Sequence, residues 1–214
     1  MNIDYLERAN QQFNEKQYQA ALENYNLAIK HYPTLAEAYY NRGLVKRIIC
    51  NHEEAIQDFS IAIILKPKMF LAYYYRGITY YELGDYPYAT ANYNHAIMLN
   101  SQLARAFYQR AIICGELGKN HQAYEDFRQA AAIAKSQKDI VLYKKAKKAQ
   151  AQIRKFNQPS PLVSKISVSF KFLLLILLVS VALGKINNNF NLINDFNFTN
   201  DSEINHNKNN DVDK

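Results

Sequence analysis

Arg8, Arg42, Arg76 and Arg110 recur at one fixed interval, and at a second fixed offset, i+16 from each, stands an acceptor: Asn24, Asp58, Asn92 and Asp126. A guanidinium with five N–H donors can serve two ends at such a spacing. It can align with its copies as an anion-binding stripe, or it can direct its donors into the fold toward the paired carboxylate or amide. The constant offset favours the second, each arginine reaching the second helix of its own unit with its stem on the neighbouring aromatic. Structural ion pairs are therefore expected at Arg42 with Asp58 and at Arg110 with Asp126.

Little else in the chain suggests reaction chemistry. His31, His52, His95 and His121 fall at different places in the 34-residue register, so they build no shared site, and His206 lies far from them. Cys50 and Cys114 stand far apart in the chain with no CxxC, which excludes a disulfide framework and argues against zinc. No Gly-rich phosphate loop, no GxSxG and no paired carboxylates in an acid/base setting occur. Glu53 and Glu54 open a second helix, where they favour its dipole. The sequence is read as a non-enzyme with no cofactor and no metal.

The arginines belong to a longer pattern. Units beginning at Asn2, Ala36, Phe70 and Ala104 align without a gap. Aromatics recur at Tyr5, Tyr39, Tyr73 and Phe107, and small residues at Ala9, Gly43, Gly77 and Ala111. Later in each unit come Ala21, Ala55, Ala89 and Ala123, then Tyr25, Phe59, Tyr93 and Phe127, then Ala28, Ala62, Ala96 and Ala130. Helical spacing within each half predicts two amphipathic helices per unit, with Gly84 suited to the turn and Cys50 replacing it, less relaxed, one unit earlier. The small residue at unit position 8 is expected to face the alanine at position 20, so that the two backbones approach closely. One unit cannot bury its apolar face alone, but a stack can.

This pattern resembles the tetratricopeptide repeat over residues 2–135. The systematic departure is arginine at unit position 7, where that family usually has leucine. The resemblance implies an all-α, right-handed α-solenoid of four helix-turn-helix repeats, 2–35, 36–69, 70–103 and 104–137 by register. Residues 138–157 are expected to form a capping helix, apolar on Ile140, Leu142, Tyr143, Ala146 and Ile153.

In proteins of this kind the first helices line a partner-binding groove. Carried onto this sequence, the groove comprises Leu6, Asn10, Phe13, Tyr40, Asn41, Leu44, Arg47, Tyr74, Tyr75, Ile78, Tyr81, Tyr108, Gln109 and Ile112. Tyr73 and Tyr80 are expected to point into the packing instead. The family's two-carboxylate clamp would need basic residues where Leu6 and Leu71 stand, and of its set only Asn10 and Asn41 are present. The groove is therefore expected to take an extended or helical segment offering apolar side chains, not an acidic tail. The alternative is that these tyrosines merely shield the surface of the solenoid.

Beyond the cap, 158–165 reads as a linker and 187–214 as an Asn-rich disordered tail. Between them, residues 166–186 are apolar all round and, at 21 residues, span about 31 Å as a helix, so a transmembrane helix is expected, with Lys171 and Lys185 snorkelling. A helix buried on the solenoid is the alternative. The run also begins too far along the chain for a cleaved signal peptide. Lysines and arginines cluster before this span, which places the repeats on the cytoplasmic side of a single-pass membrane protein. The tail, with its sequon-like "NFT" and "NDS", then lies on the opposite side. The net charge of +7 owes much to "KKAKKAQAQIRK" at 144–155, a membrane flank more than a nucleic-acid surface. The functional expectation is a membrane-anchored interaction scaffold or assembly factor. The resemblance also extends to assembly factors of bacterial and photosynthetic membranes. The alternative is a docking subunit that recruits a separate enzyme chain.

Overall fold

The computed structural model describes residues 4–157, and residues 1–157 make one compact body. The expected linker, membrane span and tail lie outside the described residues. Among the described residues every regular element is helical: α1 Asp4–Asn14, α2 Tyr18–His31, α3 Ala36–Ile48, α4 His52–Leu65, α5 Phe70–Glu82, α6 Tyr86–Leu99, α7 Ala104–Glu116, α8 Asn120–Ser136 and α9 Ile140–Asn157. None of these is long and apolar enough to cross a membrane.

Consecutive helices pack as antiparallel pairs, and the first helices of successive repeats also touch, α1 with α3 and α3 with α5. The first helices therefore share one face of the stack. The turn inside each repeat is built alike. Asn51 N–H bonds to the Lys46 carbonyl at 2.8 Å, Asp85 N–H to Tyr80 at 2.8 Å and Lys119 N–H to Cys114 at 2.8 Å, the six-to-one bond that ends a helix on a left-handed residue. Gly84 and Gly118 supply that residue in two repeats, at φ 77° and 70°. Lys16 and Cys50 supply it in the others at φ 61°, where a side chain costs about 1–2 kcal/mol.

The connection from α8 to α9 uses this intra-repeat turn: Lys138 has φ 60° and Asp139 N–H bonds to the Ala134 carbonyl at 2.9 Å. Lys135 stands where Pro33 and Pro67 bar the helix in the first two repeats, and α8 continues to Ser136. The chain then folds back as α9. Leu142 and Ala146 of α9 are buried against α8, and Ile153 packs beside Phe127, so the last repeat's apolar face is covered from within the same body. Ile140, expected on the covered side, is 63% exposed at the first turn of α9.

Ala21, Ala55, Ala89 and Ala123 are fully buried and so are Ala28, Ala62, Ala96 and Ala130, with Tyr25, Phe59, Tyr93 and Phe127 filling the space between them. The small residue at position 8 accommodates that aromatic more closely than the alanine. A Cβ on Gly43 would lie 2.9 Å from the Phe59 ring, and one on Gly77 2.8 Å from the Tyr93 ring. Val45, Thr79 and Ile113, at a position the repeat pattern left unremarked, are completely buried.

Candidate functional site: the face of the first helices

Each described arginine centre joins two repeats. Arg42 donates from Nε and Nη2 to the two carboxylate oxygens of Asp58, at 2.8 and 2.6 Å, and from Nη1 to Asn26 Oδ1 of the preceding repeat at 2.6 Å. Arg110 repeats this with Asp126, at 2.7 Å twice, and with Asn94 at 2.7 Å. Arg76 donates to the neutral Asn92 Oδ1 at 2.8 Å and to Ser60 Oγ at 2.9 Å. Each guanidinium also sits over the aromatic three residues before it, Tyr39, Tyr73 or Phe107, at 5.5–5.7 Å. In the first repeat the Asn24 amide donates to Gln12 Oε1 and to the Ala20 carbonyl. The acceptors Asn26, Ser60 and Asn94 precede their arginines by the same offset at which the first set follows, a second periodic signal that the forward reading passed over.

Whether the partner is an acid or an amide sets how firmly each guanidinium holds its proton. The Asp126 carboxylate holds the Arg110 guanidinium above its ordinary value, whereas burial lowers that of Arg76, which faces an amide.

The residues assigned to the groove fall into three neighbourhoods. At the N-terminal end Leu6 and Phe13 pack on Ala9, Tyr25 and Val45, while Asn10 Oδ1 accepts from the Tyr25 hydroxyl at 2.8 Å and from the Asn41 amide at 2.9 Å. In the middle, Tyr40 lies 6.0 Å from Tyr75, Tyr75 lies 5.1 Å edge-on to Tyr74, and Tyr81 stacks on Tyr86 at 5.7 Å. Arg47 covers the Tyr75 ring at 5.7 Å and donates to Glu82 at 2.7 Å, and Tyr81 donates to Glu116 at 3.0 Å, so both contacts cross from one repeat to the next. Leu44 and Ile78 are half-buried beside them. At the C-terminal end Tyr108 stands edge-on to Phe127 at 5.4 Å and Ile112 packs on the same cluster.

One assignment changes. Tyr74 is only 6% exposed and packs on Tyr93, in one cluster with Ala96 and Ala106, so it is a core residue whose edge reaches the face. Tyr73 and Tyr80, expected in the packing, are half-buried against this cluster and stack on His95 at 5.2 Å and on Tyr88 at 5.3 Å.

Burial pushes the Tyr74 phenol up to about 12, and raises Tyr25, Tyr40 and Tyr93 as well. The Tyr93 hydroxyl is buried without a hydrogen-bond partner among the described residues. Its counterpart Tyr25 has Asn10, but the equivalent residue in the third repeat is Ile78.

Next to Tyr74 the face opens into a cleft of about 510 Å³. Tyr74, Arg105, Tyr108 and Gln109 line one side of it, and Asp139, Val141, Leu142 and Lys145 from the start of α9 the other. Asp139 caps α9 through Leu142 N–H at 2.9 Å and lies 4.0 Å from Arg105. The repeat match fails along α9, where Val141 and Lys145 stand in place of the aromatic and small residue of a first helix, so its part in the cleft was not legible in the sequence. Among the described residues no group of three metal-ligating side chains comes together.

No protein-family model matches the sequence, and neither does any curated protein. Solved structures do match. A crystal structure of MamA is 19% identical, covering 72% of this chain and 87% of that one at a TM-score of 0.59. The Arabidopsis OM64 tetratricopeptide-repeat domain is 29% identical over 52% of this chain and 93% of its own, at 0.51. The first such domain of Spaghetti (RPAP3), bound to the HSP90 peptide SRMEEVD, is 20% identical over 55% of this chain and 93% of its own, at 0.53. The fold is the tetratricopeptide-repeat solenoid, with α9 as an added helix on the last repeat.

Proposed function

We propose that this chain is a protein-interaction scaffold that holds a segment of a partner against the face of its first helices. The observation that carries this reading is the half-buried row of Tyr40, Tyr75, Tyr81 and Tyr108, which leads into the 510 Å³ cleft beside Gln109. Rigid aromatics already locked against one another lose little entropy on binding, and their hydroxyls, with Gln109, can bond a partner backbone. A segment with apolar side chains suits it best.

The Spaghetti (RPAP3) domain holds an acidic HSP90 peptide. This face is not built for one. Leu6 and Leu71 stand where a clamp would place cations, and the Asn10 and Asn41 side chains are bonded to each other. The second part of the proposal is a membrane anchor at residues 166–186, supported by the sequence pattern alone, which would hold the repeats at the cytoplasmic surface as a scaffold or assembly factor.

Affinity capture from detergent-solubilised membranes tests both parts. The full chain should retain a stoichiometric partner that Tyr75→Ala with Gln109→Ala loses while the helical circular dichroism is unchanged. Tyr74 is unsuitable for that test, since its truncation would open a cavity in the core. Equal recovery by the double variant would refute the groove.

A further inference from the structure

Helix α9 carries Lys144, Lys145, Lys147, Lys148 and Arg154 on its exposed surface and contains no acidic residue along its length. None of these five cations has a carboxylate partner among the described residues; Lys147 meets only the Gln150 amide oxygen, at 3.0 Å. Exposed lysines without a carboxylate partner among the described residues also occur singly elsewhere, at Lys16, Lys30, Lys68 and Lys119, but α9 gathers five cations on one helix. An unmatched cationic face keeps its field and needs an anionic partner surface.

Two further observations indicate which kind. Ile140 and Val141, 63% and 65% exposed, stand beside the cations at the first turn of α9. Next to Ile140 a cavity of about 240 Å³ is lined by Ala134, Ile140 and Tyr143 together with Lys135, Lys138 and Lys144. Apolar walls bordered by ammonium groups accept an amphiphile with an anionic head, and a nucleic-acid backbone would leave those walls unused. Lysine predominates on the patch, with a single arginine and, among the residues whose side chains are described, no fully exposed aromatic to stack on a base. The chain also runs on from Asn157 toward the apolar stretch at 172–183.

We propose that the exposed face of α9 is a docking surface for an anionic lipid bilayer, with Ile140 and Val141 entering the headgroup layer and the cations on lipid phosphates. This deepens the membrane part of the proposed function but does not depend on the anchor at 166–186. It would orient the solenoid by its last helix.

The test uses residues 1–157, which close their own core, alongside the full chain. Both are sedimented with vesicles of phosphatidylcholine alone and of an equimolar mixture with phosphatidylglycerol. The 1–157 body is expected to bind the mixed vesicles and not the neutral ones. Replacing Lys144, Lys147, Lys148 and Arg154 by Gln should weaken binding at least roughly a hundred-fold, with the circular dichroism unchanged. Ile140→Ser with Val141→Ser should weaken it several-fold with every charge kept. Absence of binding by 1–157 while the full chain enters both vesicles would overturn this proposal and leave the anchor standing. Binding indifferent to the four substitutions would overturn it too, as would tighter binding to a single-stranded RNA oligonucleotide than to mixed vesicles.

Discussion

Arg42 and Asp58 form a two-bond pair, Nε to Oδ2 at 2.8 Å and Nη2 to Oδ1 at 2.6 Å, with Asp58 only 1% exposed. The third donor of the same guanidinium crosses to Asn26 in the preceding repeat. One side chain thus fixes both the helix pair within a repeat and the docking between repeats.

Removing one member of a buried pair strands the other, a loss of about 3–5 kcal/mol. Lys46 Nζ, 2.9 Å from Asp58 Oδ2, remains to meet that carboxylate, so Arg42→Ala is expected at the lower end. Asp58→Ala takes the buried carboxylate from both cations, leaving Arg42 only the neutral Asn26 and Lys46 the exposed Glu54 at 3.0 Å, and should cost more. Chemical denaturation of the two variants checks the order.

The third repeat lacks this charge balance. Asn92→Asp would give Arg76 the partner that Arg42 and Arg110 have, at the loss of the Asn92 amide bond to the Tyr88 carbonyl. The gain is expected to be roughly 1 kcal/mol at neutral pH. Arg76 would hold the new carboxyl below its unfolded value, so the gain should be full above that value and disappear as pH falls through the folded one. Stability measured at neutral and acid pH reads both.

Tyr93 and Tyr25 occupy the same place in two repeats, and among the described residues only Tyr25 has a partner for its hydroxyl. Tyr93→Phe is therefore expected to stabilise the protein by about 1 kcal/mol and Tyr25→Phe to destabilise it by a similar amount. Thermal melts of the pair give opposite signs if this is right.

The helix pairs, the alanine core and the partners of Arg42, Arg76 and Arg110 within their own repeats were legible because each rests on residue type at a fixed period. Contacts between repeats were less so. Asn26, Ser60 and Asn94 are ordinary surface residue types whose role emerges only once the helix of one repeat lies beside the arginine of the next. Tyr74 illustrates the same limit. Its register position places it on the groove, but its burial in the cluster around Tyr93 shows only once the helices are stacked. The cleft was not legible, since Val141 and Lys145 depart from the residue types of a first helix and reach it, with Asp139, through the left-handed turn at Lys138.

Alkaline titration should show cooperative behaviour. Burial raises the phenols of Tyr25, Tyr40, Tyr74 and Tyr93, Tyr74 to about 12, against an ordinary value of about 10. Between those values the folded state keeps protons that the unfolded chain has released, so stability falls as pH rises, by up to about 1.4 kcal/mol per pH unit for each such group. Tyrosinate absorbance is expected to rise in two stages, the second coinciding with loss of helicity. A single smooth titration with helicity intact would contradict this.

Photo-crosslinking from defined positions tests the proposed binding face most directly. A benzophenone amino acid would replace Tyr75 or Gln109 on the first-helix face, and Ile64 or Met98, 76% and 72% exposed, on second helices α4 and α6. In native membranes the account predicts that the first two capture one common partner and that the second two do not. Capture of that partner from Ile64 and Met98, with none from Tyr75 and Gln109, would contradict it.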